Sequence, residues 1–186
     1  MKTPDTGAAK KVKKNYSCNI NLIKYNICSI NRKAITLKKE THMDKIAWEK
    51  AAKERTDHYL NLNDGGFDET MKAHFYECDF EEKSLTIEFE TQKWQINERG
   101  GIHGGAIAGM FDTAFGIMAN FIAGEKEAAT VDMTVNFLRP LELGETCRIK
   151  VITVKAGRSI IRLRAEAFCV ETGKQTAAGS GSWMPL

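Results

Sequence analysis

A single carboxylate stands in the middle of the most apolar stretch of the chain. Residues 104–122 are almost entirely Gly, Ala, Phe, Met and Ile, and Asp112 is the only charged residue among them. A carboxylate in apolar surroundings costs free energy unless it is paired, hydrated or used in chemistry. Asp112 is therefore a candidate general base or nucleophile. The alternative is a carboxylate that faces a solvent gap or caps a neighbouring loop.

Two glycines open the same stretch. Gly104 and Gly105 follow His103 at the point where the pattern predicts the start of a helix. Backbone N–H groups at a helix N-terminus lack partners within the helix, and the helix dipole favours negative charge there. Glycine adds no side chain, so a carbonyl oxygen can approach these amides closely. The alternative is that the two glycines only let the helix end pack tightly.

The apolar residues of 104–122 predict a helix that is buried on nearly all sides, because they leave almost no polar face. A membrane span is the competing interpretation. Asp112 at its centre would cost about 2.5–3.5 kcal/mol, and flanking basic residues are missing. We therefore expect a core helix and no membrane partner.

The other elements indicate an α+β layer architecture. An amphipathic helix is predicted from the N-cap Asp44 to about Leu60. Short turns connect consecutive strands, so we expect antiparallel hairpins around one buried helix. Strand patterns occur at residues 73–80, 85–89, 131–137, 147–151, 161–167 and 175–183, with turns at 81–84, 140–144, 156–158 and 172–173.

The first 42 residues differ in composition from the rest. Residues 1–42 carry ten Lys or Arg against two acidic residues, whereas residues 43–186 carry 17 basic and 22 acidic residues. Residues 1–42 show no sustained helix or strand period, so we predict a disordered basic extension followed by one domain, residues 43–186. A functional basic arm and an organelle transit peptide are the alternatives. The mildly acidic domain is not expected to bind nucleic acid.

The cysteines and histidines predict neither a disulfide framework nor a metal site. The five cysteines are widely spaced without a CxxC pair, and the four histidines are not clustered. We therefore expect no metal, no cofactor and a location in the reducing cytoplasm.

Three segments together resemble the signature of the PaaI-type hotdog thioesterases, the phenylacetate-degradation branch of that fold. They are Asn97–Gly105 with Asp112-Thr113-Ala114, then Thr130–Met133, then Phe137–Pro140. In element order the resemblance covers residues 70–184. It implies a hotdog fold, in which a curved antiparallel sheet wraps a long central helix. It also implies an acyl-CoA substrate bound between the subunits of a homodimer, which we expect to double to a homotetramer.

The resemblance implies thioester hydrolysis in which Asp112 acts as general base or nucleophile. The amides of Gly104 and Gly105 would stabilise the oxyanion that forms. Residues 104 and 112 are about 12 Å apart along one helix, so one copy of the helix cannot supply both groups to one carbonyl. A dimer with composite sites is therefore expected.

Five further residues are candidates for roles at this site, and the roles of Asn97 and Thr130 are implied by the resemblance. Asn97 would help to place the thioester or the water, although a local turn residue is the alternative. Thr130 would orient the water, although Thr is also a good strand former. His103 is a weaker candidate for proton transfer, because a His that opens a helix is often structural. Arg139 and Arg158 are candidates for the CoA phosphates, or ordinary surface charges.

Two other functions compete with hydrolysis. A hotdog dehydratase would need a helix Glu with a loop His, and Asp112 is the only carboxylate of residues 104–122. A non-catalytic acyl-CoA-binding regulator could keep the fold without the carboxylate, so the presence of Asp112 argues against it. The apolar residues of the helix suit an aryl or medium-chain acyl group, although they are equally suited to filling the core.

Overall fold

A long helix and the sheet that wraps it form the two layers of the domain. The computed structural model describes residues 44–124 and 126–186, so the predicted basic extension lies outside the described residues. The central helix α3 spans Gly104–Ala123 and packs against a curved antiparallel sheet. The predicted α+β hotdog fold is confirmed.

The sheet has six strands within the described residues, and each paired strand runs antiparallel to its neighbour. The strands are β1 His74–Asp79, β2 Ser84–Glu90, β3 Ala128–Phe137, β4 Thr146–Ala156, β5 Ile161–Cys169 and β6 Gln175–Pro185. Their spatial order is β1-β2-β4-β5-β6-β3, so β1 and β3 are the edge strands.

The predicted hairpin at residues 140–144 is wrong, because β3 pairs with β6 instead of β4. Leu138 and Arg139 still follow β6, since both donate their N–H groups to Thr176 O. The connection then crosses to the other side of the sheet beneath the start of α3, where Ile102 N donates to Leu141 O at 2.8 Å. Strand β4 pairs with β5 along one side and with β2 along the other, so it has no side left for β3.

The core lies between α3 and the inner face of the sheet. Phe111 and Phe115 of α3 pack together, and the Phe115 ring lies 4.9 Å from that of Trp183 on β6. All three are buried, and each such side chain contributes roughly 1.5–3 kcal/mol to folding. By length and composition α3 could span a membrane, but most of its residues are buried inside the domain.

Two shorter helices cover part of α3 where the sheet does not. Helix α1, Lys45–Leu60, confirms the predicted helix, and the Asp44 side chain caps it by accepting from Ala47 N at 2.8 Å. The predicted amphipathic pattern is wrong at the start of this helix, because Ile46 is 79% exposed. The five-residue helix α2, Phe67–Met71, was not predicted. It packs so closely on Gly109 that a Cβ there would lie 2.5 Å from Phe67 Cζ.

Helix α3 is less completely buried than the sequence predicted. Every fourth residue along one side is partly exposed, which leaves an open stripe between the covering layers. The residues of this open stripe are Gly104, Ala108, Asp112, Gly116 and Asn120. Three of them lack a side chain beyond Cβ, so the backbone of α3 is accessible along the stripe.

We expect Gly181→Ala to destabilise the domain by about 1–3 kcal/mol, because the core has no room for the added methyl group. A Cβ at Gly181 would overlap the Asp132 backbone oxygen and lie 2.8 Å from the Trp183 ring. Urea unfolding measures the change. Ser180→Ala is the matched control, since Ser180 is exposed on the same strand. Equal stability of the two variants would contradict this packing.

Candidate active site

Asp112 and Thr130 lie together on the open stripe of α3. Thr130 Oγ1 donates a hydrogen bond to Asp112 Oδ1 at 3.0 Å, although 18 residues separate the two in the chain. Asp112 is half-buried and Thr130 is exposed, so solvent reaches the pair. A carboxylate that solvent can reach is able to act as a general base on a water molecule.

A β-bulge in β3 turns Thr130 toward α3. Thr130 lies opposite Trp183, whose side chain is buried against the helix. Asp132 lies opposite Ser182, the next residue of β6, so Val131 is an extra residue in β3. The bulge shifts the alternation by one, which places Thr130 on the inner face and leaves Val131 56% exposed. The strand pattern at residues 131–137 was predicted to have a period of two from Val131 onward, and it is wrong at Val131 because of this bulge.

The start of α3 is capped by a histidine. His103 is the N-cap residue, and its Nδ1 accepts the Gly105 N–H at 2.8 Å. An accepting Nδ1 carries no proton, so the neutral ring holds its proton on Nε2. Among the described residues, the Gly104 N–H makes no hydrogen bond. Of the two predicted oxyanion donors, Gly104 is the open one in this arrangement.

Asn97 makes local contacts in the loop that leads to α3. Its Oδ1 accepts the Arg99 N–H at 2.8 Å, and its Nδ2 donates to Ile102 O at 3.4 Å. These contacts match the local-turn alternative for Asn97. A role in placing a substrate stays a prediction for this residue.

Arg139 and Arg158 lie at opposite ends of the sheet. Arg139 is exposed and donates from Nη1 to Gln175 O at 2.8 Å, at the end where β6 begins. Arg158 is exposed in the turn that follows β4. Since β4 has 11 residues, the two ends are on the order of 30 Å apart. One chain therefore does not bring both guanidinium groups to one ligand phosphate.

Two candidate groups on the open stripe, the Gly104 N–H and the Asp112 carboxylate, are also far apart. Gly104 and Asp112 lie on one continuous helix, so about 12 Å of helix axis separates them. Gly104 is flanked by the half-exposed ring of Phe137, which a Cβ at this glycine would meet at 3.4 Å. The structure thus groups His103, Gly104 and Phe137 at one end of the stripe and places Asp112 with Thr130 further along it.

Four polar residues that the sequence reasoning missed lie between α3 and the short helices. Asn120 Nδ2 donates to Tyr59 Oη at 2.6 Å, and Thr113 Oγ1 donates to Asp68 Oδ1 at 2.8 Å. Burial raises the pKa of the Tyr59 phenol, and the nearby Asp68 carboxylate raises it further. Thr113 and Asn120 are polar residues on an apolar helix, and that signal could have identified them.

Across the described ranges, no three His, Cys, Asp or Glu side chains are grouped as a metal site would require.

Comparison with known proteins relates part of this chain to thioesterases. A family model described as the thioesterase superfamily matches residues 99–177, which include Gly104, Asp112 and Thr130. The Caenorhabditis elegans protein named "Putative esterase F42H10.6" is 26% identical over 104 residues. That match covers 56% of this chain and 62% of the relative's length.

Solved structures share the fold at low sequence identity. The PaaI protein from the phenylacetic acid degradation operon of Escherichia coli has a TM-score of 0.63 at 20% identity, over 75% of this chain and 96% of that one. The smu.793 protein of Streptococcus mutans, solved with acetyl CoA, has a TM-score of 0.55 at 19% identity, over 61% and 88% of the two chains. The resemblance to PaaI-type hotdog thioesterases is confirmed in the fold and in the segment that the family model matches.

We expect His103→Ala to lower the free energy of unfolding by about 1 kcal/mol, because the Gly105 N–H loses its cap. His103→Asn should stay within about 0.5 kcal/mol of the parent, since Asn is a good N-cap. Urea unfolding of the three proteins measures both changes. An Ala variant as stable as the parent would contradict the capping role of His103.

Proposed function

We propose that this chain hydrolyses acyl-CoA thioesters with aryl or medium-chain acyl groups to the free acid and CoA. The observation that carries the proposal is the solvent-accessible Asp112 carboxylate, bonded to Thr130 at 3.0 Å on an otherwise apolar helix. The acetyl CoA held by the Streptococcus mutans protein of this fold supports a CoA thioester as the substrate class. Cytoplasmic location stays a prediction.

Asp112 acts on the reacting water. Its carboxylate takes a proton from a water molecule whose oxygen forms a bond to the thioester carbonyl carbon. The carbonyl electron pair moves to oxygen, and the resulting tetrahedral species collapses by breaking the C–S bond. The CoA thiolate leaves and receives the proton from Asp112 or from solvent. In the alternative route the carboxylate itself attacks, and water then hydrolyses the mixed anhydride.

The Gly104 N–H is the donor for the developing oxyanion. It lies at the N-terminus of α3, where the helix dipole favours negative charge, and it has no acceptor among the described residues. The Gly105 N–H becomes a second donor only when His103 Nδ1 releases it. His103 therefore controls how many amides face the substrate.

Two chains are needed to build one site. Because about 12 Å of helix separates Gly104 from Asp112, a thioester that is activated by one cannot contact the other in the same chain. A two-fold homodimer with antiparallel central helices would bring Gly104 of one chain to Asp112 of its partner, and symmetry would repeat the site. The exposed edge strand β3 suits such pairing. The dimer doubles to a tetramer in this proposal.

The composite site also explains the placement of the two arginines. Arg139 lies at the Gly104 end of its own chain and Arg158 at the opposite end of the sheet. Antiparallel pairing of two chains brings opposite ends together, so each CoA would meet Arg139 from one chain and Arg158 from the other.

The proposal is tested with a panel of aryl- and alkyl-acyl-CoA substrates, by measuring release of free CoA with a thiol reagent. Hydrolysis of at least some members is expected. Binding of acyl-CoA without release across the panel would favour the non-catalytic regulator. Hydration of enoyl-CoA instead of hydrolysis would favour the dehydratase.

We expect Asp112→Asn to lower kcat by roughly 10²–10⁴-fold, because it removes the base or nucleophile while keeping the side-chain shape. Thr130 can still donate to the new amide oxygen, so the melting temperature should hardly change. Ser180→Ala, an exposed position on β6, serves as the control for purification and handling. An Asn variant with the parental rate would show that Asp112 does not carry the chemistry.

A further inference from the structure

The side chain of Asn120 connects α3 to the first residue of β3. Asn120 Oδ1 accepts the Ala128 N–H at 2.8 Å, and Asn120 Nδ2 donates to Tyr59 Oη at 2.6 Å. The two contacts orient the amide, with its oxygen toward β3 and its nitrogen toward α1. Asn120 is half-buried, and it lies eight residues after Asp112 on the same open stripe.

The Ala128 N–H points away from β6, toward the free edge of the sheet. Leu186 N donates to Glu127 O at 2.8 Å, so the polar backbone groups of Glu127 face β6. Successive residues of an antiparallel strand direct these groups to opposite sides, so those of Ala128 face the free edge. In the described residues β3 has no second neighbouring strand that could supply an acceptor. The Asn120 side chain supplies one.

Two side chains of α3 therefore hold the same short segment of β3. Asn120 binds the backbone of Ala128, and Asp112 binds the side chain of Thr130 two residues later. The bulge at Val131 separates this segment from the regular part of the ladder. The contact at Ala128 thus fixes the strand just before the point where Thr130 must reach Asp112.

We infer that Asn120 is a positioning residue for hydrolysis, which sets the place of the Thr130 hydroxyl against the Asp112 carboxylate. The inference rests on the proposed function, because Thr130 affects the rate only if Asp112 performs the chemistry. Asn120 acts through Thr130 and does not itself touch the substrate.

The test compares two substitutions at one position. Asn120→Leu removes the acceptor, and a displacement of Thr130 should lower kcat by roughly 10–100-fold with KM changed by less than about threefold. Asn120→Asp keeps an oxygen for the Ala128 N–H, so it should retain kcat within about threefold. Asn61→Leu is the matched control, because it removes a comparable side-chain bond, to Asp57 O at 2.7 Å, at the end of α1. Equal kcat in Asn120→Leu and the parent would overturn the inference.

A double-mutant cycle asks whether Asn120 acts through Thr130. Thr130→Val keeps the side-chain shape and removes the hydroxyl group, so adding Asn120→Leu to it should lower kcat by less than about twofold further. Independent losses that multiply in the double variant would mean that Asn120 acts by another route, which contradicts the inference.

Amide hydrogen exchange separates this inference from the proposed function. If the parent releases no CoA from any acyl-CoA, the proposed function fails, and the positioning of β3 is still measurable. Ala129 lies opposite Met184 and its backbone groups face β6, so its amide is protected by the sheet. Asn120→Leu should speed exchange of the Ala129 amide by at least about tenfold, while the amides of β4 stay protected. Unchanged exchange at Ala129 would overturn the inference whatever the activity of the parent.

Discussion

The carboxylate of Asp112 has to stay hydrated or hydrogen-bonded, because an unpaired charge enclosed by apolar side chains is strongly unfavourable. The sheet covers the large apolar residues of α3, whereas the open stripe keeps Asp112 at the surface of that core. The bulge at Val131 turns Thr130 to the same place, and its hydroxyl group supplies the hydrogen bond. The solvent access and hydrogen bond that make this carboxylate compatible with folding are also what the proposed activation of water by Asp112 needs.

The rigidity of α3 explains why a dimer is needed for the proposed chemistry. A helix holds Gly104 and Asp112 at a fixed separation of about 12 Å, so no local rearrangement brings them to one carbonyl group. The same rigidity becomes useful when a second copy lies antiparallel to the first. The Gly104 N–H of each chain would then face the Asp112 carboxylate of the other chain, and the packing of the two helices would set the distance between them. Both sites would have identical geometry by symmetry.

Local patterns predicted most of the elements, and long-range pairing accounts for what they missed. The apolar run at 104–122 and the cap at Asp44 identify α3 and α1 because both signals lie within a few residues. The position of β3 beside β6 and the bulge at Val131 depend on register between strands about 50 residues apart, which periodicity does not record. Asp112 stood out because its charge contrasts with its neighbours. Asn120 is uncharged, and its partners Tyr59 and Ala128 are brought to it only by the fold.

The composite site is tested most directly by mixing two variants that we expect to be nearly inactive, Asp112→Asn and Asn97→Ala, unfolded and refolded together in equal amounts. In this proposal Asn97 places the thioester at the Gly104 end of the site, whereas Asp112 comes from the partner chain. In this account each heterodimer has one site with both substitutions and one site with neither. Random pairing makes about half of the dimers mixed, so about a quarter of the parental kcat should return. Heterodimers that form, as native mass spectrometry can verify, but recover no activity would place the whole site within one chain and contradict the account.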